Sequence, residues 1–319
     1  MMMVLFQNKI IYMPSVPPFS RSEKIEDYEQ ICNPIRWRQE MIRSLDGTKI
    51  ALAVGENQTR AVSTAPDDGG LVIVYFQGNG SSLPPRLPGL SRVLKQLDKS
   101  EQPVPCTVVA LSYRGYWTSS GRASQGGIEQ DAAATLGWAN DLRESCGHNT
   151  KIVVWGQSIG AGVATTAMAN SLMKQGRDLK ADATIDATTD AASLVDAMIL
   201  ETPFTSVSNM LIALYPQKWL PYRYLTPFLW NSWDSMTALR QIKQQQTKNL
   251  NLLIMTAGKD EVVPVEEGQQ LIELCEELHF DVMHQTVPDA LHTECLIKAQ
   301  GSKGVVEFLN NVYRHRIDH

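Results

Sequence analysis

Continuous apolar runs alternate with helix-like segments along this chain, and this alternation constrains the fold more than any other feature of the sequence. Unbroken apolar runs of about four to eight residues are typical of strands buried on both faces. Strands that alternate with helices predict crossover connections and a mostly parallel sheet. The apolar runs occupy residues 71–76, 107–113, 151–156, 197–202 and 251–258, and the helix-like segments occupy 90–97, 129–145, 159 to about 174, 265–278 and 304–315.

Further strands are predicted before and after these apolar runs. Asp46-Gly47 separates two strand-like runs within residues 36–54, and this dipeptide is typical of a two-residue hairpin turn. Residues 280–287 alternate between apolar and polar side chains, as a strand does. We therefore expect an α/β fold in which helices flank a mostly parallel central sheet and an antiparallel N-terminal hairpin lies at one sheet edge.

The composition excludes several classes of protein. Of the 319 residues, 43% are apolar and 20% are charged, so the chain is neither disordered nor of low complexity. The net charge of −5 provides no overall basic footprint, and no nucleic-acid partner is expected. Five cysteines are scattered without a Cys-x-x-Cys pair, which indicates reduced intracellular thiols. The sequence contains no metal-binding motif, and neither a metal nor a cofactor is expected.

The strongest local signal for chemistry is the pentapeptide at 156–160, Gly-Gln-Ser-Ile-Gly, which directly follows an apolar run and opens a small-residue helix. A sharp strand–turn–helix needs small residues on both sides of the serine and exposes its hydroxyl at the sheet edge. Ser158 is therefore the candidate nucleophile. The Ile159 N–H at the helix start is a candidate donor to a developing oxyanion. The alternative is that Ser158 only caps the helix.

A serine nucleophile needs a base, and the base needs an orienting acid. In a strand–turn–helix of this kind, whose turn is called a nucleophile elbow, the acid follows the serine in sequence and the histidine comes last. Asp260 lies just after the strand-like run 251–258, and Glu261 is its nearest rival. Among six histidines, His292 lies in a loop after the last strand, the position from which a base can reach Ser158. The others precede the serine, lie in or beside a strand, or lie at the C-terminus.

A second oxyanion donor is expected in the loop after the run 71–76. This loop reads Gln-Gly-Asn-Gly-Ser-Ser over residues 77–82, and its glycines let the backbone approach a substrate closely. The candidate donor is the Asn79 N–H. The loop lacks the Gly-Lys-Ser/Thr ending of a phosphate-binding loop, and its Gly-x-Gly is too short for a dinucleotide fingerprint.

Five motifs in this order resemble α/β-hydrolases of the fungal bud-emergence and ABHD type, in the serine-aminopeptidase-like branch. Each motif is modestly specific alone, and the ordered set is highly specific. The resemblance extends from IIYMPS near the N-terminus to the last helix. One departure is Gln77, where the family usually has histidine. The matching segments are Gln-Gly-Asn at 77–79, Tyr-Arg-Gly-Tyr at 113–116, the pentapeptide at 156–160, Glu-Thr-Pro-Phe-Thr-Ser at 201–206 and Gly-Lys-Asp-Glu-Val-Val-Pro at 258–264, followed by His292.

We expect an N-terminal arm at residues 1–35 and an α/β-hydrolase domain at residues 36–319. Within this domain, the Asp-rich segment 176–196 is expected to be a mobile insertion, which the resemblance does not imply, and the aromatic-rich segment 205–245 is expected to be a small helical cap. The N-terminal MMMVLF is too short for the apolar region of a signal peptide. It is expected to pack on the domain, and the alternative is the stub of a membrane anchor. The expected location is the cytoplasm, with peripheral contact at an internal membrane.

The expected function is a serine hydrolase that cleaves a carboxylic ester or thioester of an apolar acyl group through an acyl-enzyme. Its substrate is a small molecule or an acylated protein, as for a lipid esterase or a protein deacylase. Two alternatives stay open, a catalytically silent binding protein at a membrane and a peptidase. The oligomeric state is not predicted. The residues expected to line the substrate pocket are Gln77, Gly78, Phe204, Leu214, Trp219 and Phe228.

Overall fold

A computed structural model describes residues 7–62, 69–147, 149–181, 194–214, 228–246 and 249–314. Within these ranges, eight strands form one sheet in the order β1-β2-β4-β3-β5-β6-β7-β8. The strands are β1 Arg36–Arg43, β2 Lys49–Glu56, β3 Gly70–Phe76, β4 Cys106–Ser112, β5 Thr150–Gln157, β6 Ala197–Glu201, β7 Asn251–Ala257 and β8 Asp281–Val287.

The hairpin predicted from Asp46-Gly47 forms the edge of the sheet. Strand β2 pairs antiparallel with both β1 and β4. Gly47 has a φ of +84°, a conformation that glycine adopts without steric cost, and Asp46 Oδ1 accepts a 3.0 Å hydrogen bond from the Thr48 N–H. The pairings from β4 through β3 and β5 to β8 are all parallel. The carboxyl ends of these parallel strands therefore meet along one edge, where ligands bind in open α/β sheets.

Ten α-helices lie in the described part of the chain. Four of them extend beyond the segments predicted from the sequence. The helix after β5 continues to Ala181, so the predicted insertion at 176–196 begins inside it, and residues 182–193 lie outside the described residues. The helices are α1 Gln7–Ile11, α2 Glu29–Cys32, α3 Gln58–Val62, α4 Leu87–Asp98, α5 Gln125–Ser145, α6 Ile159–Ala181, α7 Val207–Leu214, α8 Ser235–Gln245, α9 Val265–Glu277 and α10 Ala299–Arg314.

Two hydrophobic clusters lie on opposite faces of the sheet. Successive residues of β3 alternate between them, so that Val72 and Val74 belong to one cluster and Ile73 and Tyr75 to the other. Helices α5, α6, α8 and α9 contribute to the first cluster, and α4 and α10 contribute to the second. The central strands are thus buried on both faces, which explains why their sequences are continuous apolar runs.

An N-terminal segment packs on the body of the protein through Tyr12, which is buried. The Tyr12 hydroxyl donates to Asn231 Oδ1 at 2.9 Å and accepts from Trp233 Nε1 at 2.8 Å. Both partners precede α8, more than 200 residues away in sequence. The MMMVLF stretch that opens the chain lies outside the described residues.

Candidate active site

The turn from β5 into α6 places Ser158 at the carboxyl edge of the sheet. Ser158 has a φ of +54°, which L-residues rarely adopt, and its N–H donates to the Glu201 carbonyl oxygen at 2.8 Å. A Cβ added at Gly156 would lie 2.1 Å from the Gly160 carbonyl oxygen, and one added at Gly160 would lie 2.1 Å from the Phe76 carbonyl oxygen. Both positions therefore require glycine, as a tight strand–turn–helix does.

Gly160→Ala is expected to lower the free energy of unfolding by about 3 kcal/mol or to prevent folding. Its methyl group would collide with main-chain atoms of β3 and of the loop after it, which cannot rotate aside. Gly137→Ala in α5 is the matched control, because a Cβ there meets nothing within 4 Å. This control is expected to gain about 0.5–1 kcal/mol. Urea unfolding compares the two, and a Gly160→Ala protein as stable as wild type would contradict the close packing at the elbow.

Three side chains from three loops form one hydrogen-bonded chain. His292 Nε2 lies 2.9 Å from Ser158 Oγ, and His292 Nδ1 lies 2.9 Å from Asp260 Oδ2 and 3.0 Å from Oδ1. The histidine and aspartate side chains are each 7% exposed. The serine is half-buried at the rim. The structure thus brings together the three residues selected from the sequence.

The electrostatics of Asp260 decide the proton positions on His292. Burial raises the pKa of this carboxyl, but the hydrogen bond from His292 and those from the N–H groups of Val263 and Val262 outweigh burial, so the pKa is lowered. The two N–H groups lie 2.7 and 2.9 Å from Asp260 Oδ1. An ionised carboxylate only accepts hydrogen bonds, so Nδ1 donates to it and the Nε2 lone pair faces the Ser158 hydroxyl.

The rival acid and the other histidines lie elsewhere. Glu261 Oε2 accepts a 2.9 Å hydrogen bond from the His292 main-chain N–H, so it holds the loop and not the imidazole ring. His284 is in β8, and His279 is in the turn before it. The remaining three, at 148, 315 and 319, lie outside the described residues.

The loop after β3 passes beside the serine. A Cβ added at Gly78 would lie 3.5 Å from Ser158 Cβ. The Asn79 side chain is already occupied, since its Oδ1 accepts from the Tyr116 hydroxyl at 2.9 Å and from the Met13 N–H at 3.2 Å. The main-chain N–H groups of Asn79 and Ile159 donate to no acceptor in the described part of the chain. The oxyanion roles predicted for these two N–H groups stay predictions.

A polar network with no role predicted from the sequence lies buried behind the serine. The Glu201 carboxyl accepts from Trp155 Nε1 and Gln157 Nε2, each at 3.1 Å, and the Tyr75 hydroxyl donates to Gln157 Oε1 at 3.2 Å. Burial raises the pKa of Glu201 to about 7, although the hydrogen bonds from Trp155 and Gln157 lower it in part. The available signal was an isolated acid at the end of the apolar run Ala-Met-Ile-Leu-Glu.

The residues expected to line a substrate pocket occupy different settings. Gln77 is fully buried and Phe204 is buried in the core, whereas the Phe228 side chain is 59% exposed. Leu214 ends α7, and Trp219 lies outside the described residues. The predicted pocket therefore stays a prediction. Among the described residues, no group of three or more His, Cys, Asp or Glu side chains could hold a metal ion.

The sheet order, the turn at Ser158 and the helices on both faces define an α/β-hydrolase fold, and solved structures share it. An esterase of Pyrococcus furiosus matches with a TM-score of 0.60 and 18% sequence identity, over 91% of this chain and 94% of that chain. An α/β-hydrolase of Vibrio vulnificus matches with a TM-score of 0.67 and 14% identity, over 95% of this chain and 92% of that chain. The fold class predicted from the sequence is confirmed.

Curated relatives place the chain more closely, although no protein-family model matches it. The α/β-hydrolase domain-containing protein WAV2 of Arabidopsis thaliana is 28% identical over 277 residues, which are 82% of this chain and 73% of WAV2. Protein bem46 of Schizosaccharomyces pombe is 30% identical over 203 residues, 64% of this chain and 56% of bem46. Lysophosphatidylserine lipase ABHD12 of Danio rerio is 30% identical over 208 residues, 64% of this chain and 47% of ABHD12.

These similarities confirm the resemblance predicted from the motifs. The chain has an α/β-hydrolase fold and is similar in sequence to bud-emergence and ABHD proteins. It spans about half the length of bem46 and ABHD12. In the part of the chain that the structure describes, no helix is both long enough and apolar enough to cross a membrane.

Proposed function

We propose that this protein is a serine hydrolase that cleaves a carboxylic ester or thioester of an apolar acyl group. The observation that carries the proposal is the hydrogen-bonded chain from Ser158 through His292 to Asp260 at a tight strand–turn–helix. This arrangement of a nucleophile, a base and an orienting acid is recognised by geometry and not by sequence position.

The proposed reaction proceeds through an acyl-enzyme. Ser158 Oγ attacks the substrate carbonyl carbon while His292 Nε2 accepts the hydroxyl proton. His292 then donates this proton to the leaving oxygen or sulfur as the carbonyl re-forms and the acyl group stays on Ser158. Asp260 holds the imidazole in the required tautomer and stabilises the imidazolium. A water molecule, activated by His292, releases the acid and restores the serine.

The tetrahedral intermediate in each half-reaction carries a negative oxygen. We assign its stabilisation to the main-chain N–H groups of Asn79 and Ile159, which have no acceptor among the described residues. A preorganised donor of this kind contributes about 3 kcal/mol of barrier lowering. The N-terminus of α6 adds a favourable dipole at the same place.

The relatives support an ester as the scissile bond. One relative carries the name lysophosphatidylserine lipase, and one solved structure of the same fold is an esterase. The exposed Phe228 side chain and the aromatic-rich sequence around Trp219 favour an apolar acyl group. Both a lipid ester and an acylated protein present this chemistry.

A panel of acyl esters and thioesters with increasing chain length tests the proposed function. We expect kcat/KM to rise with acyl length for uncharged esters, because a longer chain buries more apolar surface in the transition state. Released acid is measured for wild type and for Ser158→Ala in parallel. Folded wild-type protein that hydrolyses no member of either series would favour the non-catalytic alternative.

We further propose peripheral membrane contact near the active site. Gln7 connects the N-terminal segment to the chain before α8, because it accepts from the Trp230 N–H at 2.8 Å and donates to the Phe228 carbonyl oxygen at 3.4 Å. Large apolar side chains are exposed on both segments, and they are Met13, Val16, Phe19, Phe228 and Trp230.

Flotation with liposomes, with and without anionic lipid, tests this membrane contact. Recovery of wild type only in the soluble fraction would count against it.

A further inference from the structure

Glu201 contacts the nucleophile elbow at several points. Its main-chain carbonyl accepts from the Ser158 N–H at 2.8 Å, where the backbone has the strained positive φ. Its carboxyl oxygens accept from Trp155 Nε1 and Gln157 Nε2, each at 3.1 Å. The residue is completely buried. One buried acid thus holds the end of β5 and the first residue of the turn.

Gln157 connects this acid to the loop that carries the proposed oxyanion donor. Its amide Oε1 accepts from the Tyr75 hydroxyl at 3.2 Å, and a Cβ added at Gly78 would lie 3.2 Å from the same oxygen. The hydrogen bonds therefore run in one direction, from Tyr75 through Gln157 to Glu201. Both carboxyl oxygens of Glu201 act as acceptors in this arrangement, which is the arrangement of an ionised carboxylate.

We propose that the Glu201 carboxylate is a positioning residue for Ser158, acting through Gln157 on the elbow and on the adjoining Gly78 loop. This inference rests on the serine hydrolase function proposed above. Protonation of Glu201 would place a hydroxyl proton opposite an N–H donor, either that of Trp155 or that of Gln157. With the proton opposite Trp155, the indole N–H would lose its acceptor. With the proton opposite Gln157, the amide would have to reverse, and its orientation beside Gly78 and the nucleophile would change.

Charged and titratable groups from four elements face Glu201. They are Tyr75 on β3, Arg86 in the short turn before α4, His292 in its loop and Cys295 after that loop. Burial raises the pKa of Glu201 to about 7, and the hydrogen bonds from Trp155 and Gln157 and the charges of Arg86 and His292 lower it in part. The ionised, active form therefore predominates above pH 7 and is lost as the pH falls through this value.

The pH dependence of kcat/KM for a soluble ester tests this role. In wild type, protonation of Glu201 adds to the loss of activity as the pH falls, so it steepens the acid limb on a logarithmic plot. Glu201→Gln is expected to make that slope shallower and to lower the plateau about tenfold with little change in KM. Glu267→Gln is the matched control, since this buried acid bonds Thr205 and is expected to keep the wild-type slope.

Trp155→Phe provides a second variant that keeps the carboxylate. It removes a donor that lowers the pKa of Glu201, so the acid limb is expected to move to higher pH. A defect of packing alone predicts no such direction. If Glu201→Gln fails to fold, this shift decides the question.

The possible failures are distinguishable. Wild type that neither hydrolyses an ester nor reacts with a fluorophosphonate overturns the proposed function, and the inference with it. Active wild type, together with a folded Glu201→Gln protein of unchanged slope and plateau, overturns the inference alone. An acid limb that stays fixed in Trp155→Phe also overturns it.

Discussion

Replacing Ser158 with alanine is expected to lower kcat/KM for an activated ester by roughly 10⁵-fold, without loss of the fold. The hydroxyl is half-buried at the rim, and its removal leaves the elbow backbone and the bond from the Ser158 N–H to Glu201 in place. Without the Ser158 hydroxyl, the site has no nucleophilic oxygen on which the acyl-enzyme could form. Initial rates at saturating and limiting ester measure the loss. Ser145→Ala is the matched control, because this serine is at the exposed end of α5, and its partners among the described residues are Leu142 in the same helix and the adjacent Cys146.

The same residues are expected to act as one unit. A Ser158→Ala/His292→Ala double variant should be scarcely less active than Ser158→Ala alone, because each change removes the same step. The residual rate is then expected to come from the N–H groups of Asn79 and Ile159 that we propose as oxyanion donors. A double variant that loses activity as the product of two independent factors would contradict the hydrogen-bonded chain as the catalytic unit.

Replacing Asp260 with asparagine is expected to lower kcat by roughly 10⁴-fold at neutral pH. The pKa of Asp260 is lowered, so at neutral pH it is a carboxylate that accepts from His292 Nδ1. An asparagine amide can instead donate to Nδ1, which leaves the ring proton on Nε2. Nε2 is the nitrogen that must accept the proton of the serine hydroxyl. Single-turnover acylation rates isolate this step from substrate binding.

Asp289→Asn is the matched control for this change. Asp289 is near His292 in sequence, but its side chain is 77% exposed and pairs with Lys259 at 2.7 Å. An exposed pair of this kind contributes little to stability. We expect wild-type kinetics from this control. An Asp260→Asn protein within tenfold of wild type would show that the carboxylate does not set the histidine tautomer.

The central strands could be predicted closely because burial on both faces favours an apolar side chain at nearly every position. The runs at 71–76, 197–202 and 251–258 match β3, β6 and β7 to within one residue. The elbow was equally visible, since its two glycines are required by main-chain atoms of the same turn and of the adjoining strand β3. Local sequence carries information of this kind because the constraint lies within one or two neighbouring elements.

Long-range contacts left no comparable pattern. The bond between Tyr12 and Trp233 joins segments 221 residues apart. The bonds from Trp155 and Gln157 to Glu201 likewise depend on the pairing of β5 with β6. Such contacts arise from the assembled sheet and not from periodicity.

Covalent labelling by a fluorophosphonate, followed by mass spectrometry of the labelled peptide, tests the central claim most directly. The reagent reacts with a serine whose hydroxyl is activated by a neighbouring base, which is the state that His292 and Asp260 are proposed to create. We predict a single adduct on Ser158 in wild type, no adduct in Ser158→Ala, and strongly slowed labelling in His292→Ala. Folded wild type that stays unlabelled, or an adduct that persists in Ser158→Ala, would contradict the account.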